Sequence, residues 1–171
     1  MTPALSARQI LTSPVHFLAF GFGTGLTPVA PGTAGTLVGI PFFLALQSFG
    51  LPIYLAITVA LFAFGCYLCG ESARRLGVHD HGGIVWDEIV GFLVTMVPLL
   101  TPIQRASSIS LWLWLACGFG LFRLFDVLKP TPANIADRKV HGGFGIMLDD
   151  LIAAVYAGAV LALVMWLSAR W

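Results

Sequence analysis

The chain has 171 residues, of which 58% are hydrophobic and only 10% are charged, and its mean hydropathy is +0.91. Soluble globular domains carry roughly 25% charged residues, so this composition excludes an ordinary soluble protein and indicates an integral membrane protein. The net charge of +1 also excludes an overall basic surface for nucleic acid. The length suits one membrane-embedded domain, residues 1–171.

Apolar segments separated by turns or polar stretches dominate the chain and predict helices. In chain order they are residues 37–46, 53–68, 88–100, 110–125 and 151–167. The first two are shorter than the roughly 20 residues that cross a bilayer comfortably, so we expect tilt or partial embedding there, and 151–167 is the clearest span. The predicted fold class is an all-α integral membrane protein, a compact bundle of about four to five apolar helices with polar loops on one face.

The polar stretches indicate a topology. If all five segments cross the membrane, residues 23–36, 71–87 and 122–150 fall on one side. That side then carries all eight acids and seven of the nine Lys and Arg residues. The positive-inside bias places it in the cytoplasm. We therefore expect a multi-pass protein with a cytoplasmic polar face, where a membrane enzyme would meet a lipid headgroup.

The cysteines give little functional signal. Cys66, Cys69 and Cys117 lie in apolar segments, where they are expected to be small buried hydrophobic residues. Cys69 and Arg75 have the spacing of cysteine-dependent phosphatases. The intervening GESAR lacks the glycines that let a phosphate loop direct its backbone N–H groups at an anion, so we do not expect a thiol mechanism.

The densest charge lies in residues 122–150, between two apolar segments. Arg123, Asp126 and Lys129 are spaced three apart, so they share one side of a helix that Pro130 is expected to end. Two interpretations remain open. Arg123 and Asp126 form a structural ion pair, or Arg123 and Lys129 bind phosphate oxygens while Asp126 binds a cation.

Two acidic pairs, Asp87–Glu88 and Asp149–Asp150, each stand at the start of a predicted helix. A helix N-terminus favours carboxylates without any further function. Adjacent helical residues point about 100° apart, however, so at least one acid of each pair can face the bundle interior. Together with Asp126, the pairs form an oxygen-rich cluster that suits Mg²⁺.

The loops contribute weaker candidates. His79, His81 and His141 could be ligands or proton carriers, or simply solvated residues. The stretch GTGLTPVAPGTAGT, residues 23–36, is expected to be a shaped loop because it is rich in glycine and contains two prolines. Its hydroxyls and backbone N–H groups, just before a helix, can receive an anion, although it lacks a phosphate-loop lysine and a plain turn would also account for it.

Four motifs in this order, FGFGTGLTPVAPGTAGTL, GVHDHGGIVWDEIVG, FRLFDVLKPTP and HGGFGIMLDD, resemble the phosphatidylglycerophosphatase A family of Mg²⁺-dependent bacterial membrane phosphatases. The resemblance covers residues 20–157. It implies an all-helical fold and removal of the terminal phosphate from phosphatidylglycerol phosphate, giving phosphatidylglycerol, at the cytoplasmic face of the inner membrane. The partners expected are the phospholipid substrate and the membrane, without nucleic acid or an obligate protein partner.

Residue roles follow as expectations. One or two Mg²⁺ ions would activate a water and neutralise the phosphate. The expected ligands are Asp87, Glu88, Asp126, Asp149 and Asp150. Of these, Asp87, Glu88 and Asp150 are the expected catalytic acids. The expected phosphate-binding residues are Arg123, Lys129, Thr33 and Thr36. A histidine, His79 or His141, could protonate the leaving glycerol oxygen.

Other classes of protein fit less well. A small cation or proton transporter would use intramembrane acids, but the acids gather at one face and leave no relay across the membrane. A CDP-alcohol transferase is also acidic and Mg²⁺-dependent, but its glycine-containing aspartate array is absent here.

Overall fold

The computed structural model describes residues 7–78, 81–101, 109–131 and 140–170, and within these ranges the regular structure is helical. The α-helices are α1 (Ala7–Thr12), α2 (Pro14–Ala19), α3 (Pro31–Leu46), α4 (Leu51–Leu76), α5 (Trp86–Thr95), α6 (Leu111–Leu128) and α7 (Gly142–Ser168). Short 3₁₀ helices cover Thr24–Leu26, Gln47–Phe49 and Val97–Leu100. The predicted all-α fold class is confirmed.

Four helices in the described ranges are long and apolar enough to cross a membrane: α3 with its 3₁₀ extension, α4, α6 and α7. The predicted segment 88–100 behaves differently, because α5 has ten residues and rises only about 15 Å. Its apolar side chains, among them Ile89, Phe92 and Leu93, are fully buried against the other helices. Burial against protein therefore accounts for the hydrophobicity of this segment, and α5 is not among the helices long enough to span a bilayer by itself.

Three helix boundaries also differ from the prediction. α3 begins at Pro31, where proline fits the first helical position, so Thr33 and Thr36 lie on a helix and not in a loop. α4 continues through the polar residues to Leu76 and ends at Gly77, a left-handed C-cap. α7 begins at Gly142, so Asp149 and Asp150 lie in its third turn. The helix N-terminus therefore does not account for them, because its field acts within the first turn.

α7 is the central helix and packs against α4, α5 and α6, while α3 packs against α5. Near the N-terminus of α7, glycines permit close approach between helices. A Cβ at Gly70 in α4 would lie 2.9 Å from the backbone nitrogen of Gly143 in α7. The C-terminal parts of α4 and α6 thus meet the N-terminal parts of α3, α5 and α7. We call this end of the bundle the polar end, and it contains Glu71, Asp87, Glu88, Arg123, Asp126, Lys129, Asp149 and Asp150.

Candidate active site

Three carboxylates from two helices converge at the polar end. Asp87 and Glu88 lie in the first turn of α5, and Asp150 lies on α7. Each offers one carboxylate oxygen, and these oxygens all lie within 4.8 Å of one another. Asp87 is 9% exposed and Asp150 only 4% exposed, so the group is largely shielded from water. We call these three residues the acid cluster.

The acid cluster has the character of a cation site. Glu88 Oε2 and Asp150 Oδ2 are buried and have no hydrogen-bond partner among the residues that the structure describes. Glu88 lies in the first turn of α5, which is not among the helices long enough to span a bilayer. Burial, followed by the charge of Asp150, raises its pKa to about 8. Carboxylates this close repel one another when ionised. A divalent cation would relieve the repulsion and use the unpaired oxygens, so the residues present fit Mg²⁺.

Arg123 connects α6 to the acid cluster. Its Nη1 lies 2.7 Å from Asp126 Oδ2, one helical turn away, and 3.9 Å from Glu88 Oε1. The ion pair foreseen from the spacing is therefore present. The same guanidinium also borders the acid cluster, so the pair does not exclude a role in binding phosphate.

Lys129 provides a second cation beside the acids. It caps α6 in the left-handed conformation, with φ of 41°, and its Nζ lies 2.7 Å from Asp149 Oδ2. Asp149 and Asp150 point about 100° apart on α7. This rotation lets Asp150 join the acid cluster while Asp149 pairs with Lys129.

The first turn of α3 lies directly against these groups. A Cβ placed on Gly32 would overlap Glu88 Oε1 and would lie 2.9 Å from Arg123 Nη1. The hydroxyl of Thr36 is fully buried and donates to Gly32 O at 2.9 Å, within α3, whereas Thr33 is half-buried. The threonines stood out in the sequence, whereas no local pattern singled out Gly32.

The histidines that the structure describes are not drawn into the acid cluster. His141 is exposed at the N-cap of α7, and roughly 13 Å of helix axis separate it from Asp150. His81 is exposed and its Nδ1 accepts a hydrogen bond from the backbone N–H of Gly83 at 3.0 Å. His79 lies outside the described residues. His16, on α2, contacts Ser72 Oγ at 2.8 Å, and burial lowers its pKa.

The cysteines do not form a reactive site in the structure. Cys69 is fully buried within α4, and its Sγ lies 3.9 Å from Met147 Sδ. Cys69 and Arg75 occupy the same helix, where a separation of six residues turns them roughly 120° apart. They therefore cannot close around one anion, as a phosphate loop requires.

Comparisons with known proteins agree with the motifs. The sequence profile of the family Phosphatidylglycerophosphatase A matches residues 17–165. Phosphatidylglycerophosphatase A of Escherichia coli is 42% identical over 155 residues, which cover 91% of this chain and 86% of the relative. Phosphatidylglycerophosphatase A of Haemophilus influenzae is 45% identical over 162 residues, covering 92% of this chain and 93% of the relative.

A third relative has a different name. A Bacteroides thetaiotaomicron protein, named as a candidate phosphatidylinositol-3-phosphatase, is 35% identical over 152 residues, covering 85% of this chain and 90% of its own. No solved structure matches the chain. The profile spans most of the sequence, and the relatives align along nearly their whole length. The chain therefore belongs to the phosphatidylglycerophosphatase A family.

Proposed function

We propose that this enzyme hydrolyses phosphatidylglycerol phosphate to phosphatidylglycerol and inorganic phosphate, and that it requires Mg²⁺. The observation that carries the proposal is the convergence, at one end of a membrane bundle, of three largely shielded carboxylates with Arg123 beside them. Metal-assisted phosphate chemistry needs both signs of charge in this arrangement. The names of the two relatives that are more than 40% identical support the substrate.

The acid cluster would hold the metal ion. Of the five ligands expected from the sequence, Asp87, Glu88 and Asp150 stand together, and we assign the cation to these three. When bound, Mg²⁺ would supply positive charge and Lewis acidity next to the phosphate. Asp126 and Asp149 have a different role in this proposal. They hold Arg123 and Lys129 in place through contacts of 2.7 Å each.

Arg123 and Lys129 would bind the phosphate oxygens. Arginine can form paired, charge-assisted hydrogen bonds to phosphate, and lysine adds a point charge. Their positive charge stabilises the phosphate as the oxygen of water bonds to phosphorus and the phosphorus–glycerol oxygen bond breaks. The leaving oxygen gains a proton and the attacking water loses one. His79 remains our candidate donor of that proton, since His141 lies far along α7 from Asp150. Thr33 remains our candidate second contact to the phosphate, since the buried Thr36 hydroxyl donates to Gly32 O.

The polar end would face the cytoplasm of a bacterial inner membrane. The acyl chains would stay in the bilayer beside the apolar helices, so the site has to receive only the headgroup. This orientation rests on the positive-inside bias, because Arg74, Arg75, Arg123 and Lys129 all belong to helix ends at the polar end. We infer no obligate protein partner.

A transporter is less well supported. The stretches 33–70, 89–122 and 151–170 contain no acid. A proton or cation relay would need ionisable groups along its path through the membrane. The arrangement of charge therefore favours chemistry at one face over passage across the bilayer.

The test is phosphate release from phosphatidylglycerol phosphate by the purified protein in detergent, with and without Mg²⁺. We expect release only with Mg²⁺, and a loss of about a hundredfold or more in Asp150→Asn. Glu71→Gln is the matched control, because it removes an acid of the polar end that pairs only with Arg74 and Arg75 among the contacts described. It should retain activity.

Thermal unfolding gives an independent readout of the metal. Mg²⁺ should raise the unfolding temperature of the wild type and of Glu71→Gln, because a ligand that binds only the folded state stabilises it. It should not raise that of Asp150→Asn. No phosphate release by the wild type with Mg²⁺ would contradict the function, and full activity of Asp150→Asn would contradict the site.

A further inference from the structure

We infer that Gly32, at the start of α3, is a positioning residue of the active site. Its missing side chain leaves the space in which the Glu88 carboxylate and the Arg123 guanidinium stand side by side. The inference rests on the proposed function, because it treats Glu88 as a metal ligand and Arg123 as a phosphate-binding residue. It adds a requirement that the charged motifs do not contain: residue 32 must have no side chain.

The atoms that lie closest to the Cβ position of Gly32 belong to two charged side chains. A Cβ on Gly32 would overlap Glu88 Oε1, and it would come within 2.9 Å of Arg123 Nη1 and 3.1 Å of Arg123 Nη2. Contacts of Cβ below 3.0 Å essentially never occur, so at least one of the two groups would have to move. The two groups belong to different helices, α5 and α6, and α3 is the element that touches both at this point.

Other glycines of α3 provide an internal comparison. A Cβ on Gly35 would meet Val85, and one on Gly39 would meet the ring of Phe92 at 2.8 Å. Both of these glycines allow α3 to pack closely on the chain around α5, as small residues commonly do between membrane helices. Gly32 is on the same helix but faces site residues, so its role differs from simple helix packing.

Backbone conformation does not require glycine at this position. Gly32 lies within α3 and has no positive φ, so an alanine could adopt the same backbone. Alanine is also the better helix former, by up to about 1 kcal/mol in a helix interior. Any harm done by Gly32→Ala must therefore come from the space that the methyl group occupies.

Displacement of either neighbour would disturb the site. If Glu88 moves, it leaves the group of carboxylate oxygens that lie within 4.8 Å of one another. If Arg123 moves, its 2.7 Å contact with Asp126 and its 3.9 Å approach to Glu88 both change. Small misplacements of reacting groups can cost up to about a hundredfold in rate.

The first test compares Gly32→Ala with Gly39→Ala. Both add one methyl group to α3 against a close neighbour, so we expect similar changes in unfolding temperature. Only Gly32→Ala should lower kcat for phosphatidylglycerol phosphate, by about tenfold or more. An equal loss of kcat in Gly39→Ala would overturn the inference, because it would show that packing of α3 explains the effect.

The second test asks whether the effect passes through Glu88. Glu88→Asp shortens the side chain and withdraws the carboxylate from the added methyl group. In the Glu88→Asp background, Gly32→Ala should therefore lower kcat by less than about threefold, whereas a loss of about tenfold is expected in the wild type. Such a difference is the coupling expected of residues in contact. The same fold loss in both backgrounds would overturn the assignment of this effect to Glu88.

A readout without substrate separates this inference from the proposed function. The rise in unfolding temperature on adding Mg²⁺ should be smaller in Gly32→Ala than in Gly39→Ala, whatever lipid the enzyme accepts. An equal rise in both variants would count against the positioning role. Failure of the wild type to release phosphate would instead count against the proposed function alone.

Discussion

Two clusters in this chain pair arginine with an acid at the same helical spacing, in different surroundings. On α4, Arg74 contacts Glu71 at 2.8 Å and Arg75 contacts the same acid at 2.7 Å. On α6, Arg123 contacts Asp126 at 2.7 Å. The Arg74 side chain is 73% exposed, whereas that of Arg123 is 19% exposed. We call the first group the exposed cluster.

The difference shows that spacing alone does not make a site. In the exposed cluster one helix supplies every partner described, and water screens such pairs, so each contributes little to stability. At Arg123, the neighbouring helix α5 adds Glu88, whose Oε2 has no hydrogen-bond partner within the described chain. Buried and incompletely paired charge is costly, and it marks the place where a ligand is expected.

The largest effect should come from Arg123→Ala compared with Arg74→Ala. Each variant removes one arginine from an i,i+3 pair with an acid. We expect Arg123→Ala to lower kcat/KM by about a hundredfold or more, because it removes a cation that stabilises the phosphate in the transition state. Arg74→Ala should stay within about twofold, as for an exposed pair. Similar losses in the two variants, measured by phosphate release, would remove the distinction between the clusters.

A smaller effect is expected at Lys129, which has a left-handed backbone. Here two variants separate the loss of activity from the loss of stability. Lys129→Gly and Lys129→Ala both remove the ammonium that contacts Asp149, so both should lose activity, by about tenfold or more. Only glycine adopts this backbone without strain, so the alanine variant should be the less stable, by about 1 kcal/mol. Thermal unfolding of both proteins measures the difference. Equal stability would mean that α6 can end in another conformation.

The smallest effect is expected for Cys69→Ser, which tests whether the exposed cluster could itself be an active site. Arg75 of this cluster follows Cys69 at the spacing of cysteine-dependent phosphatases. Because the thiol is buried in α4 and the two side chains diverge, phosphate release should stay within about twofold. An inactive but folded Cys69→Ser enzyme would revive a thiol mechanism and reverse the assignment of the two clusters.

Several parts of the site could be predicted from the sequence because they depend on local rules. Arg123, Asp126 and Lys129 share one side of α6 through their three-residue spacing, and the helix ends at Leu128, just before Pro130. Helical rotation also predicted that at least one acid of each acidic pair faces the bundle interior. These features need only the geometry of one helix.

Other parts were predicted incorrectly or missed. The start of α7 was placed nine residues too late, because HGGFGIML contains three glycines and was taken for a loop. The sequence also left open whether segment 88–100 spans the membrane by itself, because burial in protein and burial in lipid select the same apolar residues. Gly32 was missed, since no local pattern distinguishes a glycine that makes space for a carboxylate from one that only packs helices.

The sequence by itself determined that this is a helical membrane protein with its acids gathered near a few helix ends, because hydrophobicity and helical periodicity are properties of short segments. Only the tertiary structure decided that Asp87, Glu88 and Asp150 share one cluster while Asp149 pairs with Lys129. That division depends on how far each helix is rotated about its axis. The rotation is set by contacts between helices, such as Gly91 of α5 against the ring of Phe122 on α6.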